Sequence, residues 1–336
     1  MKAATFRKMG LFLALAVTAT LLAPGLRAGS LSTDVINMFP SNVGEFAYAD
    51  LRQARQFPWF AQLKEQMLPP KFRQFEQFLS AAGMDPNTQV EELTWALVPT
   101  TMSAGGTTTA VPTADQIVGV ALGQFQPAAV AAYFKNQKSG KVDYRGSTLY
   151  AFGGGTGSGD LYFLMIDANT AAFGERSLLE GLLEVRFGAK ESVLHNNTMY
   201  PLINQANGKG IVWAVLNPAY TRLAMQQLVP QAAEFQQAAP LLAKIQSLTI
   251  SVQSTSGIEA DFNANCSTAD DANNMAALLQ AGIMLGKYQA TSQNNSALAQ
   301  MFDGARVSPN GNALSVSMTL TNAQVVSLIQ SKTFSM

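Results

Sequence analysis

Two strand-like runs, Val142-Asp143-Tyr144-Arg145-Gly146-Ser147-Thr148-Leu149-Tyr150-Ala151-Phe152 and Leu161-Tyr162-Phe163-Leu164-Met165-Ile166-Asp167, flank the stretch Gly153-Gly154-Gly155-Thr156-Gly157-Ser158-Gly159. After Ala168-Asn169 a third run, Thr170-Ala171-Ala172-Phe173-Gly174, leads into helical sequence from Ser177 to Phe187. Aromatic and β-branched residues at this density favour strands, and glycine is the residue that turns them. Strand follows strand with no stretch long enough for the crossover that a parallel pair requires, so the runs pair as antiparallel hairpins.

The same grammar extends upstream. Glu45-Phe46-Ala47-Tyr48-Ala49-Asp50-Leu51 reads as a short strand, and Pro58 then opens a helix with Trp59, Phe60, Leu63 and Met67 on one side. Pro69-Pro70 ends that helix, and a second one places Phe72, Phe75, Phe78 and Leu79 at helical spacing before Gly83 supplies the C-cap. Strands follow at Leu93 to Pro99 and Gln116 to Phe125, separated by Thr100 to Ala114, which has no apolar period and reads as an exposed hairpin loop. A helix runs from Pro127 through Gln137.

Downstream, the pattern repeats in outline. Ile211-Val212-Trp213-Ala214-Val215-Leu216 stands where Phe46 to Leu51 stood; Leu248 to Ser254 and Gly257 to Ala264 form a strand pair; Ala269 to Lys287 is a helix. Val307 and Leu314-Ser315-Val316-Ser317-Met318-Thr319-Leu320 pair across Asn310-Gly311, ahead of a last helix from Asn322 to Ser331. The expectation is an α+β fold, a mainly antiparallel sheet with helices on one face, built by internal duplication of an α+β unit. The halves fall at residues 29–190 and 191–336.

Residues 1–28 read as a secretory leader. Lys2, Arg7 and Lys8 precede an apolar run from Leu11 to Ala23, which is shorter than a bilayer span and is broken by Pro24-Gly25, with cleavage expected after Ala28. The expected location is the periplasm or the cell exterior, with no transmembrane segment after leader removal. Removal takes four basic residues, Lys2, Arg7, Lys8 and Arg27, and no acid from a chain of 22 Lys+Arg and 22 Asp+Glu. The mature chain then carries 18 basic against 22 acidic residues, a net charge of −4. Such a chain has no electrostatic footprint for nucleic acid and no polybasic patch for anionic lipid. At 48% hydrophobic and 13% charged residues, the full 336-residue chain can bury a large core.

Three stretches together resemble a family of secreted bacterial domains of unknown function. They are Glu45 to Leu51 with the aromatic helices after it, Gly83-Met84-Asp85-Pro86 leading to Leu93-Thr94-Trp95-Ala96, and Asp143-Tyr144-Arg145-Gly146-Ser147-Thr148-Leu149-Tyr150 with Phe173-Gly174 beyond. The resemblance implies an exported or envelope-attached α+β protein and brings no activity, cofactor or catalytic residue. Attachment through a lipidated cysteine is not part of it here, because the one cysteine, Cys266, lies far from Ala28.

No catalytic, cofactor-binding or metal-ligating residue is assigned from the sequence. Gly154 and Gly159 have the spacing of a phosphate loop, but Asp160 stands where a lysine would neutralise phosphate. The single His195 lies in a polar linker, Leu194-His195-Asn196-Asn197-Thr198, with no G-x-S-x-G or S-x-x-K elsewhere. One His and one Cys cannot furnish a zinc tetrad, and Cys266 reads as a small buried hydrophobe. Asp270-Asp271 suit a helix start. Glu91-Glu92, or Glu180 with Glu184, would serve glycoside hydrolysis only in the right fold. Gly282 and Gly286 match G-x-x-x-G and suggest close helix packing, while Asn196-Asn197-Thr198 and Asn294-Asn295-Ser296 read as polar loops.

These absences point to a non-enzymatic binding or structural protein, partnered by an envelope protein or an apolar small molecule. A carrier of lipid in a cleft between the halves is the alternative, and a carboxylate-dependent hydrolase comes third. Burial of Phe72, Phe75 and Phe78 discriminates core from groove.

Overall fold

The structure is a computed structural model that describes residues 29–331 except 105–106, 114–115, 138–139, 153–159, 229–237 and 255–256. The leader, its cleavage point and the glycine run Gly153 to Gly159 lie outside the described residues. In chain order come β1 (Glu45–Asp50), α1 (Phe60–Met67), α2 (Pro70–Ala81), β2 (Val90–Leu97), β3 (Thr100–Ala104), β4 (Thr107–Val111) and β5 (Ile117–Gly123). Next are α3 (Pro127–Gln137), β6 (Lys141–Tyr144), β7 (Ser147–Phe152), β8 (Leu161–Met165), β9 (Thr170–Glu175), α4 (Arg176–Arg186) and α5 (Met199–Ala206). The remainder is β10 (Val212–Leu216), α6 (Pro218–Leu228), β11 (Ile245–Ser254), β12 (Ile258–Cys266), α7 (Ala269–Ser292), α8 (Ser296–Asp303), β13 (Ala305–Asn310), β14 (Ala313–Leu320) and α9 (Asn322–Gln330). Short helical turns link several of these.

The chain forms two compact units, one of residues 30–52 and 68–204, the other of residues 53–67 with the chain from 205 onward. In the first unit the strand order is β1-β2-β5-β9-β8-β7-β6, and every neighbouring pair is antiparallel. One sheet face aligns Trp95, Gly119, Phe173, Phe163 and Tyr150 across successive strands. Helix α2 lays its aromatic stripe on that face: Phe72 meets Trp95 edge-on at 5.4 Å, Phe75 stacks on Phe173 at 4.3 Å, and Phe78 approaches Phe163 at 4.8 Å. Phe134 of α3 completes the layer by stacking on Tyr150 at 4.4 Å. With Phe72 at 4%, Phe75 at 3% and Phe78 at 4% exposure, these rings are core and not the wall of a groove.

Gly119 is glycine because Phe173 lies over it; a Cβ there would come within 2.4 Å of the ring. The opposite face, with Val118, Val120, Ala172 and Leu149, is equally buried and is covered by α4. Helices thus lie on both faces of this sheet. Residues 191–196 are tied to the same unit by Ser41 N to Glu191 O at 2.9 Å and Val193 N to Phe39 O at 2.8 Å.

In the second unit the order is β13-β14-β12-β11-β10, again antiparallel throughout. Val252, Ala260 and Met318 align on the buried face, while Asp261, Asn263, Ser315 and Ser317 on the other face of the outer strands stay partly or fully exposed. Helices on one face is the arrangement here. Helix α1 belongs to this unit: Trp59 Nε1 donates to Asn322 Oδ1 at 3.3 Å and Gln66 Nε2 to the Ile329 carbonyl at 3.1 Å. In both units, three strands in spatial succession are followed by a helix and then by a set of hairpin strands, the last of which returns beside the third.

Several local expectations need correction. Thr100 to Ala114 is not a plain loop: β3 and β4 pair from Thr100↔Val111 to Ala104↔Thr107 as a two-stranded ribbon, which β-branched threonines favour without any apolar period. Val142 to Phe152 is two strands, folded back at Arg145 and Gly146, which have φ of +49° and +78° as a tight hairpin turn requires. The last hairpin turns at Gly311-Asn312, one residue later than expected, since Asn310 faces Ala313. Asn294-Asn295-Ser296 is a helix junction, in which Asn294 sits at φ +57° and Asn295 caps α8 by accepting from Leu298 N.

Candidate functional site

Helix α7 is the most unusual element of the second unit. Thr268 caps it, accepting from Asp271 N at 3.1 Å, and Asp270 and Asp271 sit in the first turn where the helix dipole favours acids. Its inward side is built from Ala272, Met275, Ala276, Gly286 and Ala290, all buried. Gly286 is a close-packing glycine, because a Cβ there would lie 2.7 Å from the ring of Phe302 on α8. Gly282 faces open space, so only half of the G-x-x-x-G pair packs. Lys287 donates to Asp303 at the end of α8.

The outward side is apolar. Met284 is 71% exposed, Leu285 51% and Tyr288 73%, and exposed Ala277 and Ala281 continue the stripe one and two turns earlier. Spacing of three and four residues puts all five on one face. No charged residue occurs from 272 to 286. The other large hydrophobic that stands exposed among the described residues, Phe187, lies 5.9 Å beneath the Arg145 guanidinium.

The candidate carboxylates do not converge. Glu180 accepts from Arg176 Nε at 2.7 Å one helical turn away, whereas Glu184 accepts from Arg145 Nε at 2.8 Å, from Arg145 Nη2 at 3.1 Å and from the Tyr144 hydroxyl. Those donors, Tyr144 first, hold Glu184 below the usual carboxylate range, the reverse of what a general acid needs. Glu91 sits in a β-bulge, so that both it and Glu92 reach Arg52, at 3.4 and 3.9 Å. Glu92 stands opposite Asp50 across β1 and β2 and bonds the Tyr48 hydroxyl. Burial, offset by that hydrogen bond, pushes Glu92 up; Tyr48 is pushed up too, by burial and then by the Glu92 and Asp50 charges.

Two carboxyl side chains are buried among the described residues, Asp50 and Glu45, and Glu45 titrates far from its ordinary value. Glu45 enters β1 opposite Leu97 and diagonal to Trp95, whose indole bonds it, while its Oε2 is buried with no hydrogen-bond partner among the described residues. Burial raises it from 4.5 to about 7. The sequence signal for this position is a glutamate heading a strand whose next four residues, Phe46 to Ala49, carry no charge, directly after Gly44.

Cys266 is buried and its thiol pushed up, chiefly by burial, so it is not an activated nucleophile. His195 ends a short 3-10 turn, Val193–His195, with its side chain exposed. Among the described residues no group of three or more His, Cys, Asp or Glu side chains could hold a metal ion, and no helix is long and apolar enough to cross a membrane.

No family model and no curated protein matches the chain. Two solved chains do; one is crystal form I of TP0453, 8% identical, covering 91% of this chain and 98% of that one at a TM-score of 0.47.

Proposed function

We propose that this is an exported protein that acts by binding, not catalysis, in the periplasm or at the cell exterior. The observation that carries the binding reading is the apolar outward face of α7, which holds three of the four large hydrophobic side chains that stand exposed among the described residues. Export rests on the sequence of residues 1–28, and the shared order of elements in the two units supports reading the chain as a duplicated α+β unit.

A carboxylate-dependent hydrolase fits less well, because Glu180, Glu184, Glu91 and Glu92 are each engaged by an arginine. A carrier of lipid or another apolar molecule stays second, because Phe72, Phe75 and Phe78 are core and offer such a ligand no groove. The test is to express the full chain in a bacterial host, fractionate it and weigh the mature protein. A periplasmic species beginning at Gly29, inactive on a hydrolase panel, is expected. Steady turnover that Glu92→Gln abolishes would overturn the reading, and a stoichiometric small-molecule adduct in native mass spectrometry would promote the carrier.

A further inference from the structure

We propose that the outward face of α7 docks on the same face of a second copy of this chain, the two helices packing antiparallel about a twofold axis near Ala281. The inference deepens the binding reading above and rests on it.

The argument is one of self-complementarity. In a twofold contact the same patch serves both partners, so a residue k positions after the axis meets the one k positions before it. With the axis at Ala281, Leu285 lies opposite Ala277 and Tyr288 opposite Asn274, both of which are exposed. Leu285 and Tyr288 thus meet a small and a polar residue, Met284 meets the half-buried Leu278 in an apolar pair, and Ala281 meets itself, which permits the close axial approach of tightly packed helices. The Tyr288 hydroxyl falls beside the partner's carboxamide at the equivalent of position 274, so its polar tip has a use at the rim.

Size agrees. Each copy presents on the order of 500 Å² along this face, so a pair buries about 1,000 Å², the lower edge of a specific interface, and the dimer is expected to dissociate at micromolar concentration. Charge argues against a bilayer as the occupant. Helices that lie on anionic membranes carry lysine and arginine along the polar face, whereas α7 holds Asp270, Asp271 and a Lys287 already engaged by Asp303.

The mature chain is to be weighed by sedimentation equilibrium from about 1 to about 100 µM, a range that brackets the expected midpoint. Twice the chain mass at the upper end is expected. Met284→Glu with Tyr288→Glu should weaken the dimer by tenfold or more while leaving thermal unfolding unchanged, because both side chains are solvent-facing in the single chain. In a Cys266→Ala background, Ala281→Cys should form an intermolecular disulfide much faster than Asn263→Cys, an exposed position on the sheet, since only the former brings two Cα atoms within disulfide reach. A wild-type chain that stays monomeric throughout, or equal crosslinking at both positions, overturns the proposal. If that monomer binds phosphatidylcholine vesicles and the double variant does not, the dimer is refuted while a binding role for the face survives. If the double variant matches wild type in mass and in vesicle binding, both fall.

Discussion

Replacing Glu45 by Gln changes the electrostatics of a buried site with almost no change of shape. The glutamine keeps an oxygen to accept from the Trp95 indole and removes the charge that burial opposes. In the folded chain the carboxyl titrates at about 7, against an ordinary value of 4.5. Between those two values the folded state holds the proton and the unfolded state does not, so wild-type stability falls as pH rises through the window and levels off above it. At ~1.4 kcal/mol per pH unit, the cost accumulated by pH 8 is ~3 kcal/mol, a large share of the 5–15 kcal/mol typical of a domain.

Glu45→Gln escapes that cost. The two proteins should be about equally stable at pH 4, and the variant should be ~3 kcal/mol the more stable at pH 8, with the gap opening between pH 4.5 and 7. Urea unfolding followed by tryptophan fluorescence at half-unit pH steps reads this directly. Every other titrating group is common to both proteins and cancels in the difference. Curves that run parallel from pH 4 to pH 8 would refute the reasoning, because they would mean that Glu45 ionises alike in the folded and unfolded chains. Glu45→Leu adds a control: it too removes the titrating group, so its pH dependence should match that of the glutamine variant, while loss of the acceptor for the indole lowers its stability at every pH.

Three further perturbations test the packing. Gly119→Ala forces Phe173 off the Phe75 ring and should cost ~1–3 kcal/mol with a diminished near-ultraviolet aromatic signal. Phe78→Ala removes a ring that touches Phe134, Phe152 and Phe163 and should cost ~3–5 kcal/mol in chemical denaturation. Thr321→Ala dismantles the reciprocal capping box with Gln324 at the start of α9 and should cost ~1 kcal/mol in thermal unfolding, whereas Thr321→Ser should be close to neutral.

Where local chemistry has one cheap solution, the sequence was readable. Pro127 opens α3 and Gly83, at φ +79°, closes the α2 turn as its position demanded, and the aromatic stripe of α2 is core as its period implied. Where two solutions cost nearly the same, reading failed. Arg145 in a left-handed conformation has no strong local preference for it; the turn is held from outside, by Glu184 on a helix nearly forty residues away. Threonine-rich β3 and β4 carry strand propensity but no apolar alternation, so pairing could be read only from the ladder itself.

The candidate face on α7 belongs to a third kind. Helical spacing at 277, 281, 284 and 288 is the same signal that Phe72, Phe75 and Phe78 give, and period alone assigns both stripes to a core. What separates them is how many layers surround each helix, a property of the whole fold. Helix α7 already spends Met275, Ala276 and Gly286 on its own unit, so it carries apolar residues on two opposite sides where one would suffice for folding. Selection for stability alone would have made the second side polar, since Met284 and Tyr288 lie in water in the single chain and return nothing to it. A side that folding does not need, left apolar over three turns and free of charge from 272 to 286, is therefore best explained by a surface that covers it.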